Sequence, residues 1–314
     1  MKFKNWSDFR AHCSEIQVLM TYPKYVTDLT TKQAEAYTKL IKKQDLSEKE
    51  RASLEHYRKK RELFLNPPLS ESAKKYLITR YSKEKYDKRR AISGIQLPRL
   101  AKGTALEDEA MKMLSQLHNI QYCRPAEVIQ NDYLRGKCDI LCEEMKKIVE
   151  MKIVWSADSF FPYLYTGLPT KTWFQAQGYL DLYGMDYAQV CYVLVNTPQH
   201  LIDQEMANTF RRYTYGEIDR EQYDERMDKI AGFYNYDNIP LKRRVITFEV
   251  RRSPEIVPII KRKVDLAREW LDEFEHIHML SKNILTLSEK YIAAQKEVDI
   301  ELDTPDSCES YEGG

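Results

Sequence analysis

The chain has 314 residues, 43% hydrophobic and 31% charged, enough for one sizeable core and a smaller helical unit. Its net charge of +1 argues against a uniformly basic nucleic-acid binder, and its longest apolar runs, such as Val190 to Val195, are too short to cross a bilayer. No apolar signal segment follows Met1-Lys2-Phe3-Lys4-Asn5-Trp6, and the six cysteines (Cys13, Cys123, Cys138, Cys142, Cys191, Cys308) contain no CxxC pair, so free thiols and a cytoplasmic location are expected.

The first hundred residues read as helices. Thr30 with Gln33, and Ser47 with Glu50, have capping-box spacing at helix starts. Pro67-Pro68 breaks the chain, and Ser70 or Ser72 suits the cap of a helix through Tyr76 and Tyr81. From His56 to Thr104 there are fourteen Lys and Arg against four Asp and Glu, so the near-neutral total conceals a basic stretch. Leu106, Ala110, Met113, Leu114 and Leu117 recur at helical spacing.

The pattern then changes. Val128 to Leu134, Cys138 to Cys142 and Lys147 to Trp155 predict strands, followed by a helix around Thr172 to Tyr183 and a strand from Ala188 to Val195. Leu201 to Phe233 reads as helical, Arg244 to Val250 as a strand, and Ile256 to Leu280 as a long amphipathic helix. From Glu297 to Gly314 there are seven acids and no Lys or Arg, a composition that predicts disorder. The expected organisation is a helical, basic extension over 1–100, an α/β core over 101–282 with a helical insertion around 201–235, and a helix end with an acidic tail over 283–314.

The chemistry concentrates in Arg135-Gly136-Lys137-Cys138-Asp139-Ile140-Leu141-Cys142-Glu143-Glu144-Met145-Lys146-Lys147-Ile148-Val149-Glu150-Met151-Lys152. A hairpin turning at Glu144-Met145 places Asp139 opposite Glu150. Strand alternation puts Glu150 and Lys152 on one face, with Val149, Met151 and Ile153 on the other. Facing carboxylates repel, and a divalent ion with hard oxygen ligands, Mg²⁺ most naturally, compensates them. Lys152 is then placed to hold an activated water or to stabilise charge on a phosphate. A surface hairpin whose acids and lysines face water has the same pattern, so two further elements matter. Upstream, Gly103-Thr104-Ala105-Leu106-Glu107 puts an acid in the first turn of a helix, where capping alone also explains it. Downstream, Gln175-Ala176-Gln177-Gly178-Tyr179 sets Gln175 and Tyr179 one turn apart on one face.

In this order the pieces resemble the RecB-like branch of the PD-(D/E)xK nucleases, and within it the YqaJ and lambda-exonuclease-like viral recombinases. The resemblance runs from about Gly103 to Val195, with a looser echo from Arg244 to Leu280. It implies a restriction-endonuclease-like core, a central mixed sheet flanked by helices. By that resemblance Glu107 is the helix-borne acid of the first motif and Asp139 the motif acid that binds metal. Glu150 and Lys152 are the E-x-K, with the Met151 carbonyl a further ligand. Gln175 and Tyr179 match the Q-x3-Y motif that orients the site and meets substrate. Cys138 departs from the family's Pro, which is often absent in this branch.

The implied activity is Mg²⁺-dependent phosphodiester hydrolysis, with Mn²⁺ as a substitute, by an exonuclease that degrades one strand of double-stranded DNA in recombination or repair. The alternatives are a structure- or sequence-specific endonuclease using the same residues, or a non-catalytic DNA-binding protein of this fold. Arg89, Arg90, Arg99 and Lys102 are expected to grip the DNA backbone or a terminal phosphate. Beyond DNA, the expected partners are a single-strand annealing or binding protein and further copies of the chain, with no membrane. An iron–sulfur cluster, carried by some relatives, is not expected, because only Cys308 lies beyond the core and such clusters need about four thiolates.

Overall fold

The computed structural model describes residues 6–86, 97–232 and 235–280. The expected acidic tail, Arg89 and Arg90 lie outside these residues. The chain divides into two units, Met1–Arg268 and Glu269–Gly314.

The first unit opens with a 3₁₀ turn, Trp6–Asp8, then strand β1 (Ala11–His12), a second 3₁₀ turn (Cys13–Glu15) and the short helix α1 (Ile16–Leu19). Here the chain departs from the helical reading of its first hundred residues. Trp6, Phe9, Ala11, Cys13, Ile16 and Leu19 are all buried, and β1 pairs in parallel with a strand more than a hundred residues away. That long-range pairing, not local propensity, sets the conformation of this segment.

Helices α2 (Thr31–Lys42) and α3 (Glu48–Leu65) follow. Both begin at complete capping boxes, Thr30 with Gln33 and Ser47 with Glu50, which satisfy backbone N–H groups that helix starts leave unpaired. Pro67-Pro68 separates α3 from α4 (Glu71–Tyr86), whose cap is Ser70, accepting from the Ala73 N–H at 3.1 Å. Lys263 fixes this break from the far end of the unit. Its ammonium is buried and donates to the carbonyls of Pro67 and Pro68, each at 2.8 Å.

Helix α5 (Leu97–His118) leads into β2 (Ile129–Gln130), β3 (Leu134–Gly136), β4 (Ile140–Cys142) and β5 (Lys147–Val154). Short helices α6 (Ala157–Phe160) and α7 (Tyr163–Thr166) precede α8 (Thr170–Leu182) and β6 (Tyr187–Leu194). A helical pair, α9 (Gln199–Thr214) and α10 (Arg220–Gly232), comes next, and β7 (Val245–Arg251) and α11 (Ile256–Phe274) follow. In the second unit, Trp270 stacks on Phe274 with ring centroids 5.1 Å apart, and a π-helical turn spans Glu275–Leu280.

There are two sheets among the described residues. One has the order β1-β3-β2 and the other β4-β5-β6-β7, with β5 and β6 parallel and both edge pairings antiparallel. The architecture is α/β, a mixed sheet flanked by helices, as the sequence predicts. On one face Val149, Met151, Cys191 and Val193 pack with Leu106, Ala110, Met113 and Leu114 of α5. Helix α8 is packed against β5, β6 and β7 and against the 3₁₀ turn at Cys13. Sheets covered on both faces read as near-continuous buried runs, and Lys147 to Met151 are buried without a break.

Gly178 makes the contact between α8 and the N-terminal segment possible. A Cβ there would collide with Ile16 Cδ1 and lie 3.3 Å from Cys13 Sγ. Gly178→Val is expected to lower unfolding free energy by about 1–3 kcal/mol, read from the denaturant midpoint, because both neighbours are buried and must move.

Candidate active site

The hairpin forms in the expected register. Ile140 pairs with Val149, Leu141 with Ile148 and Cys142 with Lys147, which brings Asp139 opposite Glu150 just beyond the last assigned pair. The turn closes with the Lys146 N–H donating to the Glu143 carbonyl, and Lys146 takes a left-handed φ of 48°. Because β4 begins only at Ile140, the Asp139 carboxylate takes over from backbone pairing: its Oδ2 accepts from the Met151 N–H at 2.7 Å.

Glu150, only 3% exposed, lies on the α8 side of β5. Its Oε1 accepts from Lys152 Nζ at 2.7 Å and from Gln175 Nε2 at 2.6 Å, while Gln175 Oε1 accepts from the same lysine at 3.0 Å. The three side chains form a closed triangle, which fixes the amide orientation of Gln175 and the rotamer of Lys152. The other carboxylate oxygen, Glu150 Oε2, is buried without a hydrogen-bond partner. Such an orphan costs about 1–3 kcal/mol when neutral and more when charged.

Gln175 and Tyr179 share one side of α8, but they serve different ends. Gln175 joins the carboxylate. Tyr179 is buried and its hydroxyl donates to the Lys137 carbonyl at 2.9 Å, with its ring over Gly136. It thus bonds to the backbone that leads into Asp139 and lines neither of the two clefts beside the acid pair. Gln175→Ala is expected to weaken divalent-cation binding about 10–100-fold, measured by calorimetry, since it frees both Lys152 and Glu150.

Glu107 is not in the first turn of its helix. Helix α5 starts at Leu97 and runs through Gly103, so Glu107 sits on its third turn. Its carboxylate is held by Arg124 at 2.8 Å, with Asp108 on the same guanidinium, also at 2.8 Å. Glu107, Arg124, Lys137, Cys138, Asp139 and Met151 line one cleft of about 230 Å³. Among the described residues no three His, Cys, Asp or Glu side chains are grouped to hold a metal ion. The expected set of Glu107, Asp139 and Glu150 is thus incomplete as it stands: Asp139 and Glu150 act on one another, and Glu107, in the same cleft as Asp139, is held in an ion pair by Arg124. The coupled pair fits a hard cation nonetheless, since both groups offer oxygen and one buried oxygen lacks a partner.

Electrostatics point the same way. Burial, then the neighbouring Asp139 charge, pushes the Glu150 carboxyl up from 4.5 to about 7, against the pull of Lys152. Burial also raises Asp139, opposed by the Met151 N–H and Lys152 and assisted by Glu107. Between pH 4.5 and about 7 folded Glu150 keeps a proton that the unfolded chain has lost, so stability falls as pH rises through that window. For this group alone the change is on the order of 3 kcal/mol. In EDTA, the difference in thermal midpoint between Glu150→Gln and the unaltered chain is expected to grow from pH 5 to pH 7.5 in the variant's favour.

A second cleft, of about 520 Å³, opens at Lys152. Lys152, Gln175, Lys102, Lys171, Tyr163 and Tyr192 are among its lining. Lys102 is not on an exposed basic surface as the sequence suggested. It is 1% exposed, donates to the Trp155 carbonyl at 2.8 Å and lies 5.5 Å from the Trp155 ring and 5.8 Å from that of Tyr236. Burial lowers its ammonium to about 7. Arg99 lies on α5, and its side chain is outside the described residues. Arg124, Lys171 and Tyr192 went unnoticed in the sequence. None left a usable signal: the parallel register that sets Tyr192 beside Lys152 is itself a long-range pairing.

No family model matches the chain, and no curated protein matches it. Among solved structures, it is similar to a phage-related exonuclease from Haemophilus somnus 129PT. The TM-score is 0.55 at 20% identity, over 85% of this chain and 95% of that one. It also aligns with an alkaline exonuclease from Laribacter hongkongensis, with a TM-score of 0.46 at 11% identity, over 93% of this chain and 94% of that one. The chain has the fold of the phage-related exonuclease, in agreement with the resemblance read from the motifs.

Proposed function

We propose that the chain is a Mg²⁺-dependent DNA nuclease, an exonuclease acting on double-stranded DNA in recombination or repair. The observation that carries this reading is the acid pair of half-buried Asp139 and fully buried Glu150, the latter bonded to a lysine and holding one carboxylate oxygen without a partner. A pair that served only packing would gain from replacement by apolar residues. The fold shared with a phage-related exonuclease supports the exonuclease reading over the endonuclease one.

Asp139, Glu150 and the Met151 carbonyl would hold the cation, with Glu107 joining if its ion pair with Arg124 exchanges. A divalent cation there supplies Lewis-acid polarisation of the phosphodiester and a lower pKa for a coordinated water. Lys152, oriented by Glu150 and Gln175, presents positive charge at the cleft, where it stabilises charge developing on the phosphate. Tyr179 holds the backbone at Lys137 and so keeps Asp139 in register. Lys171 and Lys152 give the larger cleft a positive lining suited to the phosphodiester backbone.

Incubation with Mg²⁺ or Mn²⁺ and matched linear and closed-circular duplexes tests this function. Progressive loss of the linear form with the circle intact is the expected result. Nicking of the circle would make the enzyme an endonuclease, and survival of both DNAs in both metals would reject the reading.

A further inference from the structure

The segment between β5 and α8 is firmly anchored yet carries an apolar surface. Phe160 is fully buried, and the Tyr163 ring lies on that of Tyr192 with centroids 3.9 Å apart. The chain leaves α7 through Gly167 at φ 74°, a conformation that side-chain-bearing residues rarely adopt. On this anchored segment Phe161, Leu164 and Tyr165 are 44%, 68% and 95% exposed. Tyr165 is the most exposed large apolar side chain among the described residues. Three large apolar side chains are thus exposed within five positions of one anchored segment.

The surroundings indicate which one. Ser159 and Tyr163, from the same two short helices, line the cleft that holds Lys102, Lys152 and Lys171. Leu164 and Tyr165 follow Tyr163 directly along α7, so exposed apolar side chains stand next in the chain to a cleft lined by Lys152 and Lys171. This is the pairing by which single-stranded nucleic acid is held: phosphates on the cations, base faces on aromatic and apolar side chains. Three side chains fall well short of the roughly 800 Å² per partner that a stable dimer buries, so a second copy of the chain is a poorer match.

We propose that Leu164 and Tyr165 form a nucleobase platform at the rim of this cleft, on which unpaired bases at a DNA end stack while their phosphates lie along Lys152 and Lys171. The inference rests on the nuclease reading of the site and adds to it a preference for ends with unpaired bases. Holding Tyr165 on an anchored turn means little ordering is needed when a base arrives.

The test is binding in EDTA, where no cleavage occurs, to a duplex whose single-stranded overhang carries 2-aminopurine. Unaltered protein is expected to quench the probe by stacking. The double variant Leu164→Ser/Tyr165→Ser is expected to lose the quench and to bind the overhang about tenfold more weakly. Tyr165→Trp should keep both properties, and Tyr215→Ser, which removes a tyrosine 78% exposed on the α9–α10 pair, should change neither. Quenching and affinity unchanged in the double variant overturn the platform while leaving the nuclease reading intact. So does sedimentation of the unaltered chain as a dimer that the double variant dissociates, since a second copy would then cover the patch. No binding or quenching by the unaltered chain overturns the platform, while the nuclease reading stands or falls separately on cleavage in Mg²⁺ or Mn²⁺.

Discussion

Glu150→Gln is expected to reduce DNA cleavage about 10³-fold or more while leaving the fold intact and, above neutral pH, more stable than the unaltered chain in EDTA. The two effects share one cause. Glu150 is buried beside Asp139, its Oε2 has no partner, and its carboxyl is raised to about 7, so ionising it is costly unless a cation is bound. Gln has nearly the same shape and keeps a carbonyl for Lys152, but it removes the charge. Asp139→Asn is expected to lose activity to a similar degree, since it removes the other carboxylate of the pair. Cleavage at an unaltered rate in either variant would remove that residue from the mechanism. A loss of activity accompanied by collapse of the thermal midpoint would mean that the pair is structural.

Lys152→Met is expected to reduce cleavage by about 10²–10³-fold, with the opposite effect on stability. The Lys152 ammonium lowers the Glu150 carboxyl by both charge and hydrogen bond. Without it Glu150 moves further up and is left buried with less compensation, so the metal-free variant is expected to melt lower at pH 7.5. Added Mn²⁺ should restore part of that loss, because a cation replaces the missing charge, yet turnover should stay low. This split between restored stability and absent turnover separates a role in the reaction from a role in holding the pair. Equal rescue of both would show that Lys152 only balances charge.

The parts of this site that were legible in the sequence are those set by local geometry. The hairpin register depends on one turn, and once Glu144-Met145 is placed at its centre, Asp139 must oppose Glu150 and Lys152 must share its face. The capping boxes at Thr30 and Ser47 are likewise three-residue patterns that carry their own hydrogen bonds. The helical spacing of Gln175 and Tyr179 was readable, but not that Tyr179 would turn to the Lys137 carbonyl, because that bond spans 42 residues.

Glu107 illustrates a further limit. Gly103 looks like a helix boundary in sequence, yet α5 passes through it, and the pairing with Arg124 lies 17 residues away. A glycine inside a helix costs about 1 kcal/mol, which tertiary packing of Leu106, Ala110 and Leu114 readily outweighs. Lys102 could not be placed either. A lysine in a basic run is ordinarily solvated, and its burial against Trp155 and Tyr236 depends on residues 53 and 134 positions further along the chain. Strand β1 was missed for the same reason, since two residues pair with a strand they do not announce.

The measurement that addresses the central claim most directly is a calorimetric titration of Mn²⁺ into the unaltered chain and into Glu150→Gln, at pH 6.5, in two buffers of different ionisation heat. With Glu150 raised to about 7, a cation must displace a proton from it, so binding to the unaltered chain should be accompanied by proton release. Glu150→Gln should bind far more weakly and release fewer protons. Absence of Mn²⁺ binding by the unaltered chain, or equal affinity and equal proton release in the variant, would contradict a cation site built on Asp139 and Glu150.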